Sequence, residues 1–305
     1  MDEHMKDVRI IGFPISLGSG KMGTELGPNA LRYSGLVKNL ETIGLHVEDQ
    51  GDIGVDNGND PRSARNAKNL SKILKYDKLL SERVSNALTR DKFPLILGGD
   101  HSMAIGSLAG LSDYANKKCG VIYFDAHADF NTPQTTTTGN VHGMPLALAS
   151  GQYEDSGEMM LQTAYADPKK IVVIGARSID KREYELMAEA GVQVFTAEDI
   201  ERKGISNITG KAIKIASRGG TPVHVSVDVD VIDPAFVHGT GTPVLGGLVT
   251  REMKLALSDI HKSGAMNSFE IAEVNPSLDK NNMTVAIALE LTLTALGKKT
   301  YESLL

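Results

Sequence analysis

The sequence is poor in cysteine and has no long apolar segment. Its 305 residues include one cysteine, Cys119, which cannot form a disulfide within the chain and favours a reducing compartment such as the cytoplasm. No apolar run reaches the roughly 18 residues of a membrane-spanning helix, and the first residues lack the apolar core of a secretory signal. Lys and Arg total 32 against 38 Asp and Glu, a net charge of −6. We therefore expect a cytoplasmic protein that contacts neither membranes nor nucleic acid.

Short apolar runs, most of them rich in β-branched residues, alternate with longer amphipathic stretches. The runs predict buried strands at residues 8–13, 94–97, 121–124, 171–174, 192–195, 223–229 and 269–274. The amphipathic stretches predict helices at 28–43, 62–90, 101–114, 181–190, 251–262 and 283–296. Gly44, Gly191 and Gly264 follow three of them, where a helix is expected to end. We predict a three-layer α/β/α fold with a central, mainly parallel sheet, built as a single domain over residues 1–305.

Three potential metal ligands directly follow the predicted strand 121–124. Asp125, His127 and Asp129 are two residues apart, and in extended backbone such residues point to the same side. Imidazole and carboxylate groups together suit a divalent transition-metal ion. The alternative is a polar loop in which an aspartate caps the next helix. We favour a metal site, because acids directly after a buried strand are costly to bury without a compensating charge.

A second acidic pair lies at the end of the predicted strand 223–229. Asp228 and Asp230 are expected on one side of the strand, and two close carboxylates repel each other unless a cation lies between them. Asp233, which precedes Pro234, is expected in a turn. His224 is expected in the core or as a support behind the ligands.

A third motif, Gly98-Gly99-Asp100-His101-Ser102, follows the predicted strand 94–97. The glycines allow close approach of the backbone, and His101 can act as a metal ligand. Asp100 is expected either to cap the following helix or to orient that histidine. The three motifs together offer more ligands than one zinc site uses and suit two neighbouring ions. Because the ligands are rich in oxygen and include no thiolate, we expect Mn²⁺ or a similar ion.

Four motifs in this order resemble the signatures of the ureohydrolase family, which includes arginases and agmatinases. They are GGDHS at 98–102, DAHAD at 125–129, GNVHGMP at 139–145 and SVDVDVIDP at 226–234, and the resemblance extends from IGFP at 11–14 to EVNP at 273–276. It implies a binuclear manganese centre, hydrolysis of a guanidinium group to urea and an amine, and assembly as a homotrimer or homohexamer. It also implies two ligand sets: His101, Asp125, Asp129 and Asp228 for one Mn²⁺, and Asp125, His127, Asp228 and Asp230 for the other.

The resemblance also assigns the catalytic groups. Two metal ions lower the pKa of a bridging water, and the resulting hydroxide attacks the guanidinium carbon. His142 matches the proton-shuttle histidine of the family, although it could also be a histidine at a helix start. Glu273 matches the residue that pairs with the guanidinium, although an acid at a strand end could also be a cap or be solvated. Thr242 matches a residue near the guanidinium, and Asp129 is counted as catalytic as well as metal-binding.

The loop at residues 131–140 bears on which guanidino compound is hydrolysed. Arginine has an α-carboxylate that agmatine lacks, and this loop supplies neutral hydrogen-bond donors for such a group. By its resemblance to the corresponding arginase loop, Asn131, Thr138 and Asn140 contact the carboxylate. Thr136 belongs to the same expected substrate-binding loop.

A second loop concerns the α-ammonium of arginine. Asp180 and Glu183 match arginase residues that hold this group, although Asp-x-x-Glu is also a capping-box pattern at a helix start. Together the two loops favour hydrolysis of L-arginine to L-ornithine and urea. The alternatives are an agmatinase or another guanidino-compound ureohydrolase, a metal-dependent deacetylase of similar architecture, and a catalytically silent arginine-binding protein. The complete ligand set with His142 and Glu273 argues against the silent protein.

Overall fold

The computed structural model describes residues 7–61, 63–153 and 159–299. Eight strands form one sheet: β1 (Asp7–Phe13), β2 (His46–Asp52), β3 (Phe93–Gly98), β4 (Cys119–Phe124), β5 (Ala166–Ala176), β6 (Gln193–Thr196), β7 (Val223–Asp228) and β8 (Met266–Ala272). Their order across the sheet is β2-β1-β3-β8-β7-β4-β5-β6, and every neighbouring pair is parallel. The predicted α/β class and parallel sheet are confirmed.

Ten helices connect the strands. They are α1 (Gly27–Tyr33), α2 (Leu36–Thr42), α3 (Leu70–Thr89), α4 (Ala104–Ala115), α5 (Pro145–Ala149), α6 (Lys181–Ala190), α7 (Ala197–Lys203), α8 (Ile205–Ala216), α9 (Thr250–Ser263) and α10 (Met283–Ala295) in the described residues. None of these helices is long and apolar enough to cross a membrane.

Both faces of the sheet are covered, as the apolar strands predict. On β4, Ile122 and Phe124 belong to one hydrophobic core, whereas Val121 and Tyr123 belong to the core on the opposite face. Helices α1, α2, α7, α8, α9 and α10 contribute to the first core, and α3, α4, α5 and α6 cover the other face. This arrangement confirms the three layers. That a single domain extends over the whole of residues 1–305 stays a prediction.

The edge strand β2 was not predicted. Its sequence, HVEDQGD, has no apolar run, and its residues are exposed or only partly buried because the strand pairs with β1 alone. The predicted helix 28–43 is wrong as a single helix, because Gly35 has a φ of 90° and separates α1 from α2. The predicted helix 62–90 begins only at Leu70, and Arg62 lies outside the described residues. Short helices α5, α7 and α8 were also not predicted.

The glycines expected at three helix ends all have left-handed backbone. Gly44, Gly191 and Gly264 have φ values of 91°, 85° and 66°, which residues with a Cβ adopt reluctantly. The helices at 181–190, 251–262 and 283–296 agree with α6, α9 and α10 to within one residue at each end. Local helix-stop chemistry therefore identified these boundaries well.

We expect Gly99→Ala to destabilise the protein by about 3 kcal/mol, because a Cβ at this position would lie 1.8 Å from the backbone oxygen of Ile15. Backbone cannot yield as a flexible side chain does. Gly210→Ala is the matched control: Gly210 lies inside α8 with open space where a Cβ would be. It should gain about 0.5–1 kcal/mol from better helix propensity. Chemical denaturation measures both, and equal stabilities would contradict the close approach at Gly99.

Candidate active site

The expected site residues lie at the carboxyl ends of four adjacent strands. His101 follows β3, Asp125 follows β4, Asp228 ends β7, and Glu273 follows β8. These strands are neighbours in the order β3-β8-β7-β4. Because parallel strands present their carboxyl ends at one edge, residues far apart in the sequence come together there, where ligands bind in open α/β sheets.

Two histidines share a group of carboxylates. The Nδ1 atom of His101 lies 3.2 Å from an oxygen of Asp125, 3.5 Å from Asp129 and 3.3 Å from Asp228. The Nδ1 atom of His127 lies 3.3 Å from an oxygen of Asp125 and 3.1 Å from an oxygen of Asp230. Two overlapping ligand groups result, His101 with Asp125 and Asp228, and His127 with Asp125 and Asp230, each compact enough to hold a metal ion.

Turns, not extended backbone, bring these residues together, so the reason we gave from the strand alternation is wrong. Strand β4 ends at Phe124, and Asp129 has a left-handed φ of 51°. Strand β7 ends at Asp228, and residues 229–231 form a 3₁₀ turn. The Oδ1 atom of Asp228 accepts a 2.7 Å hydrogen bond from the backbone N–H of Asp230, which folds the second carboxylate back beside the first.

Two further aspartates act as expected in the local backbone. Asp100 accepts hydrogen bonds from the backbone N–H groups of Ser102, at 3.0 Å, and Gly18, at 2.8 Å, so it caps the turn that begins with His101. Asp233 accepts from the backbone N–H of Ala235 at 2.9 Å and is a turn residue. The capping interpretation of Asp100 is therefore confirmed.

A buried chain of polar side chains fixes His101 from behind. Ser226 donates to Glu270 at 2.7 Å, and its oxygen lies 2.7 Å from the Nε2 atom of His101. Since the serine proton goes to Glu270, His101 donates to Ser226 through Nε2, and Nδ1 is the ring atom that faces the carboxylates. His224, buried as expected, lies 3.2 Å from Glu270. Burial opposes ionisation of Glu270, yet His224 helps to hold its pKa at about 2.

Sequence reasoning missed Ser226 and Glu270 as supports. The signal was present for Glu270, because a carboxylate inside the apolar run 269–274 needs a buried partner. Tyr123 was missed as well, since it reads as one more core residue of β4. Its hydroxyl donates to Asp129 at 2.8 Å, and its ring stacks on His101 with centroids 4.4 Å apart.

Arg177 joins three segments around the site, and no motif pointed to it. Its guanidinium donates to the backbone oxygens of Gly175, Asp230, Val231 and Val244 at distances of 2.7 to 3.2 Å. The guanidinium has five donors in a fixed planar fork, whereas a lysine ammonium has three, so an arginine can make all these contacts at once. Arg177 thereby ties the end of β5 to the turn that carries Asp230.

The carboxylates repel one another in the absence of a cation. Burial, and next the charges of Asp230 and Asp125, raise the pKa of Asp228 well above its usual value. Burial and Asp125 do the same to Asp129. Although burial opposes it, hydrogen bonds with Asp125 and Asp230 raise the pKa of His127 to about 12. The cluster therefore attracts positive charge, and its oxygen and imidazole donors fit divalent cations of the Mn²⁺ class.

Glu273 and His142 form a pair beside the cluster. The Nδ1 atom of His142 lies 2.9 Å from Oε1 of Glu273, which also accepts from the backbone N–H of His101 at 3.0 Å. The second carboxylate oxygen of Glu273 is buried and has no hydrogen-bond partner among the described residues. Thr242 donates to Asp230 at 3.1 Å. A buried, unpartnered carboxylate oxygen is suited to a cationic group that enters from outside.

A cleft of about 220 Å³ opens beside this pair; His142 and Thr242 are among its lining residues, and Glu273 is not. Its lining residues are His127, Asp129, Asn131, Thr138, Asn140, His142, Gly143, Ser178, Asp180, Glu183, Asp228 and Thr242. Ser178 and Gly143 were not predicted. Thr136 was expected to touch the substrate but is not in the lining, and its hydroxyl accepts from the backbone N–H of Gly139 at 2.9 Å.

Asp180 and Glu183 form the capping box that their spacing allows. The Glu183 carboxylate accepts from the backbone N–H of Asp180 at 3.1 Å and from that of Phe130 at 2.8 Å. Both residues also line the cleft. The capping interpretation is thus confirmed, and it leaves Asp180 able to meet a ligand. The Nδ2 atom of Asn131 lies 3.5 Å from Asp180, which joins the two loops.

The parallel sheet and the carboxylate–imidazole cluster define a class of α/β protein with a site able to hold divalent cations. Comparison with known proteins narrows this class. The arginase family model matches residues 6–297. The chain is 40% identical to the arginase of Bacillus subtilis (strain 168) over 297 residues, covering 96% of this chain and 99% of that protein. The chain belongs to the arginase family.

Solved structures agree with this assignment. The native arginase of Bacillus caldovelox at pH 5.6 superposes with a TM-score of 0.91 at 36% identity, covering 97% of this chain and 100% of that one. The arginase of Entamoeba histolytica in complex with L-ornithine has a TM-score of 0.88 at 31% identity, with the same coverage of 97% and 100%. The family resemblance found in the motifs is therefore confirmed.

We expect Asp228→Asn to raise the stability of the metal-free protein, by about 1–2 kcal/mol, because it removes one of the mutually repelling buried charges. The same variant should lose most of the thermal stabilisation that Mn²⁺ gives to the wild type. Thermal unfolding in EDTA and in excess Mn²⁺ measures both effects. Asp233→Asn is the matched control, since this turn residue lies five positions away and should keep the full Mn²⁺ response. A full response in Asp228→Asn would exclude Asp228 as a ligand.

Proposed function

We propose that the protein is a binuclear manganese arginase that hydrolyses L-arginine to L-ornithine and urea. One observation supports this most strongly: the same cleft is lined by His127, Asp129 and Asp228 of the histidine–carboxylate cluster and by separate amide, hydroxyl and carboxylate groups. The cluster suits metal-dependent hydrolysis of a cationic guanidinium group. The other lining groups suit the α-carboxylate and the α-ammonium of arginine. Family membership supports the same reaction.

The proposed ligands are those that the motifs indicated. His101, Asp125, Asp129 and Asp228 would hold one Mn²⁺, and Asp125, His127, Asp228 and Asp230 the other, in agreement with the contacts of Asp125 to both histidines. When bound, the ions supply positive charge that activates water as a nucleophile at neutral pH. The Oδ2 atom of Asp125 is buried and faces Nδ1 of His101 at 3.2 Å, which is consistent with both groups holding one ion.

Glu273 and His142 would act on the guanidinium itself. The buried, free oxygen of Glu273 would pair with the guanidinium and align its carbon with the nucleophile. Because His142 uses Nδ1 for Glu273, its Nε2 atom is the one placed to give a proton to the leaving amine. Burial opposes protonation of His142, but Glu273 raises its pKa and so favours the protonated imidazole. Thr242 would hold the Asp230 carboxylate in position through its hydrogen bond.

The outer part of the cleft would select arginine. Asn131, Thr138 and Asn140 offer neutral donors to the α-carboxylate, and Asp180 offers a carboxylate to the α-ammonium. Glu183 would support this end through Asp180 and would meet the ammonium directly or through water. Thr136 would shape the loop from within, since its hydroxyl is used by the backbone. The related but different proposal is an agmatinase, which has no use for the carboxylate donors.

Urea release from L-arginine and from agmatine, side by side at equal concentrations with Mn²⁺-loaded protein, tests the proposal. We expect urea from arginine and a rate at least about 100-fold lower from agmatine, because buried donors left without a partner are costly. EDTA-treated protein is the control and should be inactive. Urea from agmatine alone would identify an agmatinase. Calorimetric binding of arginine without any urea would identify a silent arginine-binding protein.

We expect Glu273→Gln to lower kcat/KM for arginine by about 100-fold or more, because the amide cannot neutralise the guanidinium. The amide oxygen can still accept from the N–H of His101, so the Mn²⁺ content should stay unchanged. Metal analysis beside steady-state kinetics separates the two effects. Glu290→Gln, a surface carboxylate on α10 paired with Lys254, is the control and should leave both unchanged. Unchanged arginine turnover in Glu273→Gln would remove this assignment.

Assembly and location also belong to the proposal. The family resemblance favours a homotrimer or homohexamer, and the single cysteine favours the cytoplasm. Size-exclusion chromatography with light scattering measures the first directly.

A further inference from the structure

The lining of the cleft offers no positively charged side chain at the end proposed for the α-carboxylate. Apart from the proposed metal ligands, its acidic lining residues are Asp180 and Glu183, and no lysine or arginine is among the lining residues. An incoming carboxylate would be repelled by these acids until it reached a compensating cation. The neutral donors of the loop provide hydrogen bonds but no charge.

Lys68 supplies a cation at this end. Its Nζ atom donates a 2.9 Å hydrogen bond to Oδ1 of Asn140, although the two residues are 72 positions apart in the chain. The ammonium therefore lies directly behind an amide that lines the cleft. Lys21, by contrast, donates to the backbone oxygen of Gly241.

The contact with Lys68 also decides which way the Asn140 amide faces. A lysine ammonium can only donate, so the oxygen of the amide must be the atom that faces it. The Nδ2 atom then lies on the other side, 3.1 Å from the position that a Cβ on Gly20 would take, and it donates to no acceptor among the described residues. Its hydrogen atoms are therefore not used by another described protein group, and Asn140 is one of the residues that line the cleft.

The segment that carries Lys68 is docked onto the same loop. The backbone N–H of Lys68 donates to the oxygen of Gly139 at 2.9 Å, and Asn66 donates to the oxygen of Pro133 at 2.8 Å. Gly139, with a φ of 73°, passes so close to this segment that a Cβ would lie 1.9 Å from the backbone oxygen of Arg65. Two backbone contacts and one side chain thus hold Lys68 in place beside Asn140.

We propose that Lys68 is a specificity-determining residue that directs the Asn140 amide towards the α-carboxylate of the substrate and offsets the acidity of the cleft. This rests on the proposed function for the identity of the substrate. Lys68 acts through Asn140 and by its charge, so it should affect binding of the carboxylate and leave the hydrolytic step unchanged.

Competitive inhibition by L-ornithine and by putrescine, which lacks the carboxylate, tests the proposal in Mn²⁺-loaded protein. Lys68→Met should raise the inhibition constant of ornithine and the KM for arginine about five- to tenfold, with kcat and the inhibition constant of putrescine within twofold of wild type. Lys68→Arg keeps the charge and a donor and should restore most of the loss. Lys72→Met is the matched control, since Lys72 pairs with Asp56 instead of the loop, and it should behave as wild type.

A double-mutant cycle with Asn140→Ala checks that the two residues act together. Lys68→Met should weaken ornithine less in the Asn140→Ala background than in the wild type, because only its charge can still act there. Equal weakening of ornithine and putrescine, or an ornithine constant within twofold of wild type in Lys68→Met, would overturn the proposal. Should the wild type release no urea from arginine, the proposed function fails. Calorimetric binding of ornithine and putrescine then still tests Lys68.

Discussion

Mutual repulsion of buried carboxylates is the constraint on which the rest of this structure depends. Asp125, Asp129, Asp228 and Asp230 meet at the end of the sheet with almost no exposure to water except near His127. Such a cluster is stable only where positive charge and N–H groups surround it. Two histidines, the N–H groups of tight turns and the hydroxyl of Tyr123 all face these carboxylates. A bound cation would complete the same balance, so the repulsion that destabilises the metal-free cluster would also favour the binding of divalent cations.

Most of the candidate site could be predicted from the sequence, because its possible metal ligands lie in short motifs next to apolar strands. Their grouping follows from topology, since parallel strands deliver their carboxyl ends to one edge. The local geometry did not follow, because the left-handed backbone of Asp129 and the turn at Asp230 leave no mark in a pattern of alternating residues. Strand β2 escaped notice for a related reason, since a half-exposed edge strand needs no apolar run.

Residues that support the site by contacting other parts of the protein were the hardest to predict from the sequence. Arg177 binds backbone oxygens from distant segments, and such acceptors are not encoded by particular side chains. Lys68 contacts a loop 72 positions away and is itself exposed, so nothing in its neighbourhood in the sequence distinguishes it from other surface lysines. Long-range contacts of this kind arise from the three-dimensional arrangement alone. In the proposed site, a cation held behind a neutral amide would let an acidic cleft bind a carboxylate.

The left-handed backbone at Asp129 and Glu273, with φ values of 51° and 60°, has a consequence for how this protein can change. Residues with a Cβ occupy this region at a cost of about 1 kcal/mol or more, and glycine does so without it. Selection for thermal stability alone would therefore favour glycine at both positions, and each substitution would remove a carboxylate from the candidate site. Stability and chemistry pull in opposite directions at these two backbone positions, and only selection on turnover can keep both acids there.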